Sequence, residues 1–232
     1  MRKTAMLALL PALAAAPLNA QGFEGAVSVK TDTTDPNSLR NEVLHVTPGR
    51  MAITGLTGPA SQIGAGAEMR ILVDWTAAKI TVLLPLAGQM AQMAQMNPQM
   101  KGIKIVTDIP AATATKASTL KALGTSQTIA GMKCDDYVET GVKEPRQLCL
   151  TKALGRFTMP STGRGGRGGG GPSWANAIGD NGFPLKVWIP NGTVDFEATA
   201  VRPGSVPGSI FAIPDGYMDM GSLGRMGRGG GF

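Results

Sequence analysis

The sequence predicts a mainly β protein of the α+β kind, built on a curved antiparallel sheet or half-barrel with one or two covering helices. Short segments in which apolar and polar residues alternate recur along the chain, and turn-forming residues separate them. A period of two is typical of strands that bury one face and expose the other. Roughly ten such strands in one domain favour a strongly bent sheet over a flat one.

The alternating segments are spread over most of the chain, and pairs such as Pro48-Gly49 and Pro203-Gly204 mark the turns between them. The predicted strands are residues 23–30, 43–47, 69–74, 79–84, 101–107, 125–129, 133–139, 146–151, 185–189 and 193–201.

One segment breaks this alternation. Residues 86–97 are rich in helix-forming Leu, Ala, Gln and Met, and Pro98 follows them. At about 100° per residue, one face of this predicted helix carries an apolar stripe made of Leu86, Met90, Met93, Met96 and Met100. We expect the stripe to cover the sheet and to form the binding surface for an apolar ligand. A second, weaker helix is predicted at residues 113–123.

The methionine stripe also allows a different function, a Cu(I) site. Thioethers are soft ligands, and Met90, Met93 and Met96 follow one another at i, i+3 and i+6. No histidine or cysteine accompanies them, however, and methionine commonly fills irregular gaps and forms adaptable apolar surfaces. We therefore favour the hydrophobic interpretation and predict no metal and no cofactor.

The first twenty residues have the layout of a secretory signal peptide: Arg2 and Lys3, then an apolar run, then a short exit that ends at Ala20. The apolar run is shorter than the ~20 residues that a membrane-spanning helix needs, and no later segment is long and apolar enough. We expect cleavage after Ala20, a periplasmic or secreted protein without a transmembrane segment, and a single domain over residues 21–223.

Two glycine-rich segments, 161–173 and 224–232, are predicted to be disordered, because glycine is costly to order and few apolar side chains accompany it. They hold four arginines and no acid, and without them and the signal peptide the basic and acidic residues balance. A neutral body argues against a nucleic-acid partner, which requires a basic face.

Cys134 and Cys149 are the chain's two cysteines. In an oxidising compartment a lone pair is most simply a disulfide. Two strands joined by a turn near residues 141–145 would place the two cysteines opposite each other, within disulfide reach. A redox-active pair is the alternative, but the C-x-x-C spacing is absent.

No catalytic constellation emerges from the sequence, and we predict that the protein is not an enzyme. His45 is the single histidine and is expected to be an ordinary sheet residue. The acid pairs Asp32 with Asp35 and Asp135 with Asp136 lie near predicted turns, where solvated carboxylates are common.

The order of segments resembles an exported bacterial family called domain of unknown function 4412. The segments are FEGAVSVK at 23–30, MRILVDWTAAKITVLLP at 69–85, TIAGMKCDDYVE at 128–139, QLCLTKALGRF at 147–157 and FAIPDGYMDM at 211–220. That family is similar in fold to the LolA/LolB lipoprotein carriers, whose half-barrel holds acyl chains in an apolar hollow under its helices. The resemblance implies a lipid or an acylated protein as the partner and supplies no catalytic residues. It leaves the oligomeric state open.

Overall fold

The computed structural model describes residues 22–30, 42–57, 68–87, 91–109, 118–159, 173–190 and 192–219. The predicted signal peptide, residues 161–172 of the predicted disordered loop and the predicted tail at 224–232 lie outside these ranges.

Within the described residues, twelve strands form one open, curved sheet. The strands are β1 Gly25–Lys30, β2 Glu42–Thr47, β3 Arg50–Thr57, β4 Glu68–Asp74, β5 Lys79–Pro85, β6 Gly102–Asp108, β7 Thr119–Ile129, β8 Met132–Thr140, β9 Gln147–Thr151, β10 Phe183–Trp188, β11 Val194–Pro203 and β12 Tyr217–Asp219. Their spatial order is β12-β6-β5-β4-β3-β2-β1-β11-β10-β9-β8-β7. Neighbouring strands are antiparallel, except that β12 runs parallel to β6.

The predicted mainly β class and curved sheet are confirmed, and each of the ten predicted strands overlaps an observed one. The strands β3 and β12 were not predicted. In β3, Met51, Ala52 and Ile53 are all buried, so both faces of the strand are covered and no alternation remains in the sequence. β12 is only three residues long, too short to carry a period.

The two helices within the described residues are short: α1 spans Ala91–Met96 and α2 spans Ser173–Ile178. α1 lies inside the predicted helix at 86–97. The predicted helix at 113–123 is wrong where the structure describes it, because residues 119–123 belong to β7, and residues 119–122 pair with β8. Pairing along a neighbouring strand outweighs the helix propensity of Lys121, Ala122 and Leu123, which are good helix formers. α2 was not predicted, and it begins at the last residue of the predicted disordered loop.

The larger apolar cluster lies mainly on one face of the sheet, which we label the concave face, although in β9 it includes the consecutive residues Leu148, Cys149 and Leu150. It joins inward residues of β1 to β5 with residues of β8 to β11. Further side chains come from the connection between β9 and β10. These are Leu154, Phe157, Trp174 and Ile178, and each is at most 3% exposed. Residues 152–159 together with α2 are called the concave cover.

The opposite, convex face carries a smaller cluster of Ala52, Leu72 and Leu83. Half-buried Ile210, Phe211 and Tyr217 pack against it. The segment between β11 and β12, residues 204–216, thus forms the convex cover and includes a short 3-10 turn at Gly208–Phe211. This segment reaches the far edge of the sheet. It therefore allows β12 to pair with β6 although β11 and β12 lie seven places apart in the strand order.

The convex cover is held in part by tight backbone contacts at the β6–β12 edge. Gly216 has φ 85°, and a Cβ there would lie 2.6 Å from the carbonyl oxygen of Gln99. Gly102 lies under the ring of Tyr217 and leaves no space for a side chain. These two positions therefore require glycine.

The predicted disulfide between Cys134 and Cys149 is confirmed, with a Cα–Cα distance of 5.3 Å. The predicted register is wrong by two residues, because Cys149 lies opposite Asp136 and not opposite Cys134. The bridge is therefore diagonal across β8 and β9. Residues two apart on a strand share a face, so the diagonal still brings the two side chains together.

Candidate ligand-binding face

The predicted methionine stripe lies in the connection between β5 and β6. Leu86 is half-buried and Met100 is 5% exposed. The backbone N–H of Leu86 donates to the carbonyl of Lys101 (3.1 Å), and the N–H of Met100 donates to the carbonyl of Asn97 (2.9 Å). Met90 and the side chains of Met93 and Met96 lie outside the described part of the structure. The stripe as a ligand site, apolar or copper-binding, stays a prediction.

This segment is attached to the β12 edge of the sheet. The N–H of Lys101 donates to the carbonyl of Gly216 (2.9 Å), and the Asn97 side-chain amide contacts the sulfur of Met218 at 3.8 Å. Neither Leu86 nor Met100 belongs to the apolar cluster of the concave face. The described residues of the stripe, Leu86 and Met100, are therefore not part of the cluster that the concave cover closes.

An aromatic group fills the middle of the concave face. Phe157 stacks on Trp174 with ring centres 5.9 Å apart, and its edge meets Phe183 at 5.3 Å and Phe196 at 5.8 Å. Trp174 also lies 6.0 Å from Phe196. Phe183 and Phe196 belong to the sheet, whereas Phe157 and Trp174 belong to the concave cover. The aromatic group is thus the contact between sheet and cover.

The concave cover is also linked to the turn between β4 and β5. The indole N–H of Trp75 donates to the hydroxyl of Thr158 at 3.5 Å, at the long limit of a hydrogen bond. Other contacts of the cover with the sheet are mainly apolar. Apolar contacts are not directional, so another apolar molecule of suitable shape is able to replace them.

A carboxyl group lies on the concave face at the start of β2. Glu42 is 2% exposed, and its Oε1 atom has no hydrogen-bond partner within the described residues. Burial raises the pKa of Glu42 from its ordinary 4.5 to about 7, because an apolar environment disfavours the charged form. Glu42 alternates with buried Leu44 and Val46 and therefore points to the same face as they do.

A second buried carboxyl group lies near the end of β8. Glu139 is 0% exposed, and neither of its side-chain oxygens has a hydrogen-bond partner within the described ranges. Its backbone N–H donates to the carbonyl of Arg146 (2.8 Å). The Arg146 guanidinium forms an ion pair with Asp195 of β11. Arg146, the residue opposite Glu139, therefore forms its described ion pair with Asp195 and not with Glu139.

Sequence reasoning missed both glutamates and the concave cover. The predicted second strand began at Val43, and extending its alternation by one residue would have put Glu42 on the apolar face. Glu139 lies at the end of a predicted strand, but its burial depends on β7 and β9 together. The cover residues Phe157 and Trp174 show no period and are separated by the glycine-rich segment, so no local signal identifies them.

His45 lies in β2, as expected of a sheet residue, and alternation places it on the convex face. Its Nε2 atom lies 3.3 Å from the hydroxyl of Thr54. Burial and, to a smaller extent, the positive charge of Arg70 lower its pKa. Among the described residues no group of three or more His, Cys, Asp or Glu side chains is arranged to hold a metal ion. No helix in the described ranges is both long and apolar enough to cross a membrane.

Comparison with known proteins identifies one family. The family described as a domain of unknown function, DUF4412, matches residues 23–217. That range extends from two residues before β1 to the first residue of β12. No curated protein matches the chain.

The fold is similar to part of a solved protein called PNGF-II. Its structure in the C2 space group aligns with a TM-score of 0.52 and 12% identity, over 89% of this chain and 32% of that chain. The structure of the same protein in the P21 space group gives a TM-score of 0.46 and 13% identity, over 89% of this chain and 33% of that chain. This chain thus spans about a third of the length of PNGF-II, and the likeness concerns the fold alone.

Proposed function

The chain belongs to the DUF4412 family, and we propose that it is an exported, non-enzymatic binding protein that holds an apolar ligand against its concave face. The ligand is a lipid or the acyl chain of an acylated protein. This use corresponds to that of the LolA/LolB lipoprotein carriers, whose half-barrel fold we propose as the closest analogy.

The aromatic contact between sheet and cover is the observation that carries this proposal. Phe157 and Trp174 reach the sheet from a connection that lies outside it, so the apolar face is closed by a separate segment. Ligand sites for apolar molecules are lined mainly by aromatic and aliphatic side chains with few polar groups. A ligand chain that replaces the cover would meet Phe183, Phe196 and the aliphatic residues of the strands.

The disulfide supports the exported location. Disulfides form and persist in oxidising compartments, and Cys134–Cys149 is a structural bridge buried in the main apolar cluster. This agrees with the predicted signal peptide, because a signal sequence delivers the mature chain to such a compartment.

Tryptophan fluorescence tests the proposal, since the chain has three tryptophans, Trp75, Trp174 and Trp188. A Trp75→Phe/Trp188→Phe variant leaves Trp174 in the aromatic group as the single tryptophan. Titration with a dibrominated octadecyl alcohol should quench its emission in a saturable way, because bromine quenches an indole only in contact.

A Trp75→Phe/Trp174→Phe variant is the matched control. It keeps Trp188, which packs against the apolar cluster outside the aromatic group and lies beside the Lys186 ammonium (5.8 Å from the ring centre). We expect much weaker quenching of Trp188 than of Trp174. Equal quenching of both, or no quenching of Trp174 at probe concentrations below the solubility limit, would reject binding at the aromatic group.

A further inference from the structure

The connection that carries the concave cover is attached to the sheet at one place. It leaves β9 after Thr151 and enters β10 at Phe183, and these two residues lie opposite each other on paired strands. The two ends are so close that a Cβ on Gly182 would lie 2.5 Å from the carbonyl oxygen of Thr151. Because its ends meet, the connection is able to move away from the sheet without displacing a strand.

Glycines stand at both ends of this connection. Gly155 has φ 81° and Gly182 has φ 130°, and glycine is the residue that changes its backbone angles most freely. Hinges are a few residues of this kind that absorb a change in φ and ψ. Leu154 comes just before the first glycine and is 0% exposed, so it stays in the apolar cluster. Within the described ranges, the parts between the two glycines are residues 156–159 and 173–181.

These two parts are joined to each other. The Arg156 guanidinium lies 3.6 Å from the carboxylate of Asp180, which belongs to the 3-10 turn after α2. The rings of Phe157 and Trp174 stack with their centres 5.9 Å apart. One part therefore has to follow the other when either leaves the sheet.

The attachment of these parts to the rest of the protein is mainly apolar. It consists of the contacts of their two rings with the sheet and of α2 with β7. The described hydrogen bond to a distant element is long: the indole N–H of Trp75 donates to the Thr158 hydroxyl at 3.5 Å. Units with few directional contacts to the rest of a protein open locally at a lower free energy than the core unfolds.

We propose that the concave cover is a hinged flap. Residues 156–159 and 173–181 leave the sheet together by rotation at Gly155 and Gly182, and the hydrogen bond from Trp75 to Thr158 favours the closed position. This inference rests on the proposed function and adds its regulation. The rings of the closed flap occupy the aromatic residues of the sheet, so an apolar ligand reaches them from the open form. The apparent dissociation constant is then that of the open form divided by the open fraction.

Hydrogen exchange followed by mass spectrometry tests the flap in the oxidised wild-type protein without ligand. Peptides from the two parts of the flap should show one common protection factor. It should be at least ~10-fold smaller than that of the adjoining strands β9 and β10, because the flap opens without them. Different protection in the two parts, or protection equal to that of β9 and β10, overturns the inference whether or not a ligand binds.

Thr158→Val tests the link between opening and binding, because it removes the acceptor of the Trp75 hydrogen bond and keeps the shape of the side chain. Exchange in both parts of the flap should become about 2- to 10-fold faster, the effect of losing one neutral hydrogen bond. Binding of radiolabelled 1-dodecanol, measured by equilibrium dialysis, should tighten by the same factor, since both quantities follow the open fraction. Trp75→Phe removes the donor of the same bond and should shift both measurements in the same direction if Thr158→Val folds poorly.

Thr107→Val is the matched control, because Thr107 is exposed on β6 and the change is the same. It should alter neither exchange in the flap nor binding. Unchanged exchange in both Trp75→Phe and Thr158→Val, or faster exchange without tighter binding, overturns the inference while the proposed function stands. Absence of 1-dodecanol binding in every variant overturns the proposed function and, with it, the regulation of binding by the flap.

Discussion

The two faces of the sheet are closed in different ways. The concave cover brings Phe157 and Trp174 into an extensive apolar cluster, with one long hydrogen bond from Trp75. The convex cover lies over only Ala52, Leu72 and Leu83, and it is held by polar contacts as well. The Arg70 guanidinium donates to the Ile210 carbonyl (3.3 Å), and that of Arg50 lies 4.6 Å from the centre of the Phe211 ring. The concave cover is therefore held mainly by apolar burial, which an apolar ligand is able to replace. The convex cover is also held by directional polar contacts, which an apolar ligand is not able to replace.

The largest effect is expected from truncating the concave cover. Phe157→Ala removes a ring that contacts three others and should destabilise the protein by ~3–5 kcal/mol in urea unfolding, the range for buried Phe→Ala. Phe211→Ala in the convex cover should cost less, about 1–2 kcal/mol, because Phe211 is only half-buried and loses one cation–π contact.

Equal losses for these two variants would contradict the difference between the covers. Val106→Ala serves as the baseline, since Val106 is 41% exposed on β6 and a surface change of this kind should stay within ~0.5 kcal/mol.

The second effect concerns the disulfide, whose two cysteines belong to the concave cluster. The disulfide joins positions separated by 15 residues, and closing a loop of that size stabilises a fold by ~3 kcal/mol in the chain-entropy account. The Cys134→Ala/Cys149→Ala variant should therefore unfold at lower urea concentration but still fold, because the rest of the cluster is intact. Its loss should match that of the reduced wild-type protein. A double variant as stable as the oxidised wild type would show that the disulfide does not stabilise the protein.

The third effect is a pH dependence that belongs to the concave face. The pKa of Glu42 rises from 4.5 to about 7 on folding, so between these values the folded state binds more protons than the unfolded state. Stability is then fully present below pH 4.5 and is lost as the pH rises to 7, by up to about 3 kcal/mol at 1.36 kcal/mol per unit of pKa.

Glu42→Gln should abolish this part of the pH dependence, because an amide does not titrate. The measurement is the free energy of unfolding at pH 5 and pH 8 for wild type, Glu42→Gln and the exposed control Glu144→Gln. We expect Glu42→Gln to lose less stability than wild type between the two pH values. The same slope in all three proteins would mean that Glu42 is not buried as described.

These residues show how far sequence reasoning reaches in this protein. The period of two predicted ten of the twelve described strands, including β4 and β9, in which three or more consecutive residues are buried. It failed at β3, whose residues Met51, Ala52 and Ile53 are buried on both faces. The disulfide followed from cysteine count and compartment, but its diagonal register did not, because the hairpin is centred one residue beyond the midpoint of the two cysteines and pairs Cys149 with Asp136. Phe157 and Trp174 meet across a long connection, and the burial of Glu42 and Glu139 depends on strands distant in the sequence, which no local pattern encodes.

A smaller effect tests the predicted methionine stripe at its described residue Met100, which lies outside the concave cluster. Met100 is buried, and Met100→Leu roughly conserves its volume, so the change should cost less than ~1.5 kcal/mol. Met100→Gln should cost more, because it buries an amide without an assured partner. A Cu(I) site would be weakened alike by both substitutions, as each removes the thioether. Competition with a Cu(I) chelator separates the two: unchanged affinity in both variants contradicts a thioether contribution from Met100.

The smallest effect comes from the convex face and has the opposite sign to that of Glu42. Burial and, less strongly, Arg70 lower the pKa of His45 below its ordinary 6.5, so the unfolded state binds the proton more readily than the folded state does. The stabilising contribution of neutral His45 is therefore present above pH 6.5 and is lost as the pH falls through the lowered folded pKa. His45→Gln should remove this loss while keeping a polar side chain near the Thr54 hydroxyl. In a Glu42→Gln background, where the concave contribution is absent, stability should rise with pH across this window, and His45→Gln should flatten the rise. A fall in stability with rising pH in that background would show that another buried acid, and not Glu42 alone, sets the pH response of the concave face.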